Sequence, residues 1–402
     1  MTNGLLGLES ELMLTDVEGN IVNRAKEVLE SPLNIGNLVP EYSQAMVEIN
    51  PKPSAELAKL ESNLREELTF LERIAESKGL NAIPLSEIGP GQVSKRIEGY
   101  KRYDLYELAT GKLSSKADAS ACGTHLHIDH QNNLVGQFNL YQSMDPVFAF
   151  MSSTSFFMGS NSVNCGRVNF FRNNIFSEHP FMTQLLDYVE SIEDIHELSK
   201  KRREFFVERL GDSEEIRKTF SGHKNGSTPI RMTDNTIEIR ATDSNLPTLS
   251  MAMAALYKGV TEYVFGNNLD IRIADRDNEY GITSKEILLP NYPTLKQMES
   301  AAIREGPQAY IVNEYLSHLV GIAEKGLPEE ERRYLTPFKE VLRTKKNIAG
   351  LVLEFVGKKC DHSPGQLESD SARKVNRFIR ELYQDDLTGG NKAVYLIGNG
   401  IR

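Results

Sequence analysis

Residues 121–130 read ACGTHLHIDH, a stretch that places His125, His127 and His130 within six positions. Its strict alternation of apolar and polar residues predicts a β-strand, in which residues two apart project to the same face. His125 and His127 therefore share one face, and Leu126 and Ile128 the other. The same period recurs outward from this strand. LLGLESELMLTDVEGNIV (5–22) reads as a β-hairpin turning at Glu18-Gly19-Asn20, with Glu9 and Glu11 on one face. QAMVEINPKPS (44–54) is a strand stopped by Pro51 and Pro53, with Glu48 at its centre. NTIEIRATD (235–243) is another, with Glu238 and Arg240 side by side.

Helical patterns separate these strands. Residues 54–79 repeat apolar side chains at helical spacing from a Ser54 cap to Gly79. LNAIPL begins a short strand, followed by a Gly/Pro-rich loop through 107 that carries Lys95, Arg96, Lys101 and Arg102. Residues 135–158 form two helices joined near Asp145-Pro146, with the proline at a helix start. Beyond about Thr248 the pattern is mostly helical. Strands confined to the first 270 residues and joined by hairpins or long helices favour an α+β fold with a mostly antiparallel sheet. The expected division is a sheet-based catalytic core over 1–270 and a mostly helical region over 271–402 packed on it as one integrated domain.

Composition narrows the partners. The chain has 402 residues, 40% apolar and 25% charged, and a net charge of -10, so it has ample core and lacks the basic surplus of a general nucleic-acid binder. Three widely spaced cysteines form neither a disulfide framework nor a metal knuckle. The N-terminus lacks a basic leader, and no apolar run reaches membrane-spanning length. The expectation is a cytoplasmic protein acting on small molecules, with no nucleic-acid or membrane partner. A homo-oligomer remains open.

If the faces bearing Glu9, Glu11, Glu48, His125, His127 and Glu238 line one side of one sheet, four carboxylates and two imidazoles converge. Such a cluster is stable only with cations in it. Oxygen-rich donors suit Mg²⁺ or Mn²⁺, which typically share their coordination with nucleotide phosphates. ATP is the implied nucleotide, yet no P-loop, Rossmann or kinase signature is present, so its site must be of another kind. The competing reading takes H-x-H-x-D-H literally, as the signature of a metallo-β-lactamase-like dinuclear zinc hydrolase. That reading needs further histidine ligands, and His179 and His223 lie in SEHPF and SGHKNG, outside any alternating strand.

Taken in series, GLESEL (7–12), MVEINPKPS (46–54), YKRYDLY (100–106), CGTHLHID (122–129), the stretch 145–172 and PIRMTDNTIEIRATD (229–243) resemble the ATP-dependent carboxylate-amine ligases related to glutamate-cysteine ligase. The resemblance covers about residues 4–245 and keeps the family's order. It implies a glutamine synthetase-like curved sheet flanked by helices, and amide-bond formation through an acyl phosphate. Glutamate, with cysteine or another amine, is the expected substrate pair. It also implies metal-ligand roles for Glu9, Glu11, Glu41, Glu48, His125 and Glu238. His127, Arg240 and Arg102 would face the nucleotide, and Arg172 the substrate carboxylate or phosphate, with Glu11, Glu238, Arg240 and Arg172 central to catalysis. Phe156 stands where the family often has proline, and the chain has no tryptophan; both departures bear on substrate identity.

Overall fold

The protein is described here by a computed structural model covering residues 4–401, apart from 35, 37, 88, 90–92, 162, 222–225 and 361–365. Its framework is a seven-stranded antiparallel sheet built on β1 (Leu6–Asp16). Alternate leucines of β1 are buried, so the glutamates between them project to the opposite face. Its partners are β3 (Met46–Ile49), β4 (Leu80–Ile83) and β5 (Thr124–Asp129), and β2 (Leu38–Pro40) pairs with β3. A two-residue hairpin, β6 (Phe156–Phe157) with β7 (Ser160–Asn161), stands apart. The sheet is completed by β8 (Ile230–Met232) and β9 (Thr236–Ile239) in the order β2-β3-β1-β5-β9-β8, with β4 pairing the far end of β1.

Several local expectations change. The hairpin after β1 shrinks to a turn with one bridge, Thr15 to Ile21, because Asp16 Oδ1 accepts from the Glu18 and Asn20 amides and closes it tightly. Gly19 sits there at φ +86°, and a Cβ would meet Arg373 O at 2.6 Å, so the turn doubles as a seat for the helix Ser369–Leu387. The helix after Pro53 begins at Leu57 rather than beside Ser54; its first amide is held at 3.0 Å by Glu331 Oε1 from a distant segment. Lys101–Thr110, expected as loop, is helical. It buries only Ala109 and has no apolar stripe for a periodicity reading to detect. Of the two helices expected over 135–158, the first is Leu134–Ser143, while the second is reduced to a 3-10 turn and the single turn Phe148–Met151.

Strands also continue past residue 270, where β10 (Asp270–Ile273), β11 (Gly281–Ile282) and β12 (Glu286–Leu289) form a small separate sheet. The rest of the C-terminal region is helical. One contiguous apolar core runs from Leu6 to Ile397, so the sheet and these helices share an interior. A second, smaller core of Phe205, Phe206, Phe220, Met182 and Ala109 lies apart from it, with Phe206 stacked on Phe220 at 4.0 Å between ring centres.

Candidate active site

Register brings the acidic and imidazole residues together. Across β1 and β3, Glu11 faces Glu48 directly; across β1 and β5, Glu9 faces His125; across β5 and β9, His127 faces Glu238. Directly opposed side chains on neighbouring strands lie close, and like charges in that position repel. Glu41, in the loop between β2 and β3, joins them. Two groups of three result, with ligand atoms within 4.8 Å of one another: Glu11, Glu41 and Glu48, and Glu9, His127 and Glu238.

The electrostatics show what this set lacks. Burial pushes Glu11 up to about 8, and the charge of Glu41 adds to it. Burial pushes Glu48 up to about 10, helped by the charges of Glu41, Glu9 and Glu11. Carboxylates held so far above their ordinary range are short of positive charge. Burial also raises Glu9, but the imidazoles of His125 and His127 outweigh it and hold its carboxyl well below the usual range. His127 Nδ1 lies 2.9 Å from Thr236 Oγ1, while its Nε2 faces Glu9 Oε1 at 3.1 Å. An imidazole fixed through one nitrogen can offer the other to a metal ion. Oxygen donors short of charge, with one such nitrogen, fit a hard divalent cation.

Among the described residues His127 belongs to one of the three-donor groups, and His125 lies beside both groups. His125 is 5% exposed and donates its Nδ1–H to Glu9 Oε2 at 3.0 Å, with Glu11 Oε1 3.9 Å from Nε2. Gly123 makes room for that ring, since a Cβ there would lie 2.9 Å from Nε2, and its amide donates to Glu11 Oε2 at 2.6 Å.

Glu238 is fully buried between two guanidinium groups. Burial would raise its carboxyl, but Arg240 and Arg231 outweigh it and hold it down at about 2. Arg231 Nε donates to Oε2 at 2.7 Å, and Arg240 Nη1 donates to Oε1. These groups open on a cavity of about 680 Å³, which Arg102, Arg167, Tyr103 and Asp118 also line. Arg102 reaches this wall from the helix Lys101–Thr110, held by donation to Thr219 O at 2.7 Å and packed over Phe220.

Arg172 is placed differently. It contributes to the cavity wall, but its guanidinium is bound by both oxygens of Asp145 at 2.8 Å, by Glu299 at 2.5 Å, and by the Phe148 ring. Its guanidinium is thus engaged in a buried ion cluster at the cavity wall. The arginine its helix offers to the cavity is Arg167, braced by Asp243 at 2.6 Å and the Ala241 carbonyl. Arg167, Arg231, Tyr103 and Asp118 escape the sequence reading. For Arg231 a signal existed: Ile230 and Met232 flank it as Ile237 and Ile239 flank Glu238.

Residues 5–345 match the family described as Glutamate-cysteine ligase family 2 (GCS2). The chain belongs to glutamate-cysteine ligase family 2. Family membership supports an ATP-dependent carboxylate-amine ligase and leaves the zinc hydrolase reading without a basis. Asp129 accepts from the Leu5 amide, neither it nor His130 enters a three-donor group, and His179 is taken up by Arg209 and the rings of Phe181 and Phe205. His223 lies outside the described residues.

The fold of this family-2 chain is similar to that of a bifunctional glutathione synthetase from Pasteurella multocida, with a TM-score of 0.56 and 11% identity. It is also similar to a glutamate-cysteine ligase from Francisella tularensis solved in complex with AMP, with a TM-score of 0.55 and 11% identity. The match covers 99% of this chain in both cases, but 56% of the former protein and 92% of the latter. No curated protein matches the chain in sequence. Among the described residues no helix is long and apolar enough to cross a membrane.

Proposed function

We propose that this family-2 protein joins a small carboxylic acid to an amine with ATP as the phosphoryl donor, through an acyl phosphate. Glutamate is the favoured acid, and cysteine or another small amine the acceptor; the reaction belongs in the cytoplasm. The observation that carries this reading is the convergence of Glu9, Glu11, Glu48, His127 and Glu238 from four adjacent strands on one arginine-lined cavity. A carboxylate is a poor electrophile and does not condense with an amine until its oxygen is made a leaving group.

In the proposed first step the substrate carboxylate oxygen bonds to the γ-phosphorus while the bridge to the β-phosphate breaks and ADP departs. In the second, the neutral amine nitrogen bonds to the acyl carbon, phosphate leaves with the electron pair of the broken C–O bond, and the proton lost from nitrogen passes to the departing phosphate or to solvent. The two three-donor groups would hold Mg²⁺ or Mn²⁺, which neutralises phosphate charge when bound. The chain's own part is positioning and fixed charge. Arg240 and Arg231 keep Glu238 ionised, and among the described residues the buried Nε–H of Arg240 has no hydrogen-bond partner. Arg102 and Arg167 present cationic groups to the nucleotide phosphates and the substrate carboxylate. Gly123 and Thr236 set the two imidazoles.

The test is ADP release across pairs of acids and amines, with mass detection of the amide. Release should require both substrates and a divalent cation. Glu11→Gln should lower it by about 10²-fold or more. Full turnover in that variant, or ADP release indifferent to both substrates, would sink the reading.

A further inference from the structure

Behind β8, on the far side of Pro229 from the main cavity, lies a second cavity of about 20 Å³. A water needs roughly 10–15 Å³ on such a scale, so there is space for one small occupant. Arg202 lines it from the middle of the helix Ile192–Leu210, together with Gln142, Gln184 and Thr228. Arg202 is 6% exposed and donates Nε–H to the Phe181 carbonyl at 2.8 Å. Among the described residues no carboxylate lies within 4.0 Å of it, whereas Arg167, Arg172, Arg231 and Arg240 each have one. Among the described residues the charge that bears on it is of like sign: Arg231, on β8. Burial, reinforced by that charge, lowers the guanidinium only to about 10, so it stays cationic at neutral pH.

A buried cation without a counter-charge is unfavourable, and a folded chain retains one where an anion completes it. The neighbours suit that task. Gln142 and Gln184 each commit one amide hydrogen to a backbone carbonyl, of Leu186 and Arg172 respectively, and each keeps a second N–H. The remaining walls, Phe138, Leu185 and Ile230 among them, are apolar and favour a weakly hydrated ion over a strongly hydrated one.

We propose that this cavity binds a small monovalent anion of the halide class, chloride in physiological media, against the Arg202 guanidinium. The ion would stand one strand behind the arginine that grips Glu238 and offset the repulsion between Arg202 and Arg231. The site is separate from the cation cluster and does not depend on which substrates the protein uses.

Crystals grown in sodium bromide give the direct test, since bromide replaces chloride and scatters anomalously. An anomalous peak within hydrogen-bond distance of the Arg202 guanidinium is expected; water there and no peak would overturn the proposal. In solution, the melting temperature should rise saturably with chloride over gluconate at matched ionic strength, by about 2 °C at tenfold excess over the dissociation constant. Arg202→Gln should erase that difference, and a chloride response that persists unchanged in it would also overturn the proposal. The bromide experiment uses the unaltered chain, so a poorly folding variant does not leave the question open.

Discussion

Replacing Glu238 by Gln removes the negative charge that lies between Arg231 and Arg240 while keeping nearly the same shape. Glu238 has no exposed surface, and both arginines spend their guanidinium contacts on its oxygens. Deleting one partner of a buried ion pair leaves the other charges uncompensated and costs about 3–5 kcal/mol. With an unfolding entropy near 2.1 cal/mol/K per residue, 402 residues give about 0.8 kcal/mol/K. The expected fall in melting temperature is thus about 4–6 °C. Glu11→Gln should behave in the opposite sense without divalent cations. Its carboxyl is pushed up to about 8 by burial and by Glu41, so it is already largely protonated near neutral pH and the amide should leave the melting temperature unchanged or higher. Thermal unfolding of both variants in chelator, followed by calorimetry, separates the two cases. A Glu238→Gln variant melting within about 1 °C of the parent, or a Glu11→Gln variant that is strongly destabilised, would refute the assignment of charge balance in the cluster.

Gly123→Ala places a methyl group 2.9 Å from His125 Nε2; activity should fall at least about tenfold with about 1–3 kcal/mol of destabilisation, measured by turnover and denaturant titration. Arg172→Met should act on the fold, because Asp145 and Glu299 lose their shared cation; a variant with wild-type melting but a raised KM for the acid would return Arg172 to the substrate site. Glu72 is pushed up to about 7 by burial against the pull of Arg380. Its contribution to stability is therefore present below the ordinary carboxylate range and lost as pH rises through 7. The melting temperature of Glu72→Gln relative to the parent should then climb between about pH 5 and pH 8, by the equivalent of roughly 1–3 kcal/mol, and a flat difference would count against it. Chelation should abolish ADP release, with recovery on Mg²⁺ or Mn²⁺; retention of activity in chelator would remove the cation from the mechanism.

What could be read from the sequence follows from the strand period. Glu9 with Glu11, His125 with His127 and Glu238 with Arg240 are paired by a two-residue repeat that barely varies, so their shared faces are legible before any tertiary contact is known. Which strands adjoin is not legible locally. The Glu11 to Glu48 and His127 to Glu238 registers arise from the sheet order; resemblance to a ligase family implied that these residues act together but did not give that order. Helix-borne residues are harder. Arg167 and Arg172 stand five residues apart on one helix, about 140° around its axis, so one can reach the cavity while the other enters the core. The short motif containing both does not say which. Lys101–Thr110 stayed hidden because a helix serving mainly as a cavity wall has no apolar stripe to betray it.

The second apolar cluster has a mechanical corollary. The helix bearing Arg102, Tyr103 and Tyr106 leans on Phe206 and its aromatic neighbours, whereas the carboxylate strands are anchored in the main interior. The helix on one side of the cavity and the strands on the other are therefore anchored in different apolar clusters. Amide protons of that helix should exchange through a local opening that leaves β1 and β5 paired, so the strand wall would outlast transient departures of the helix.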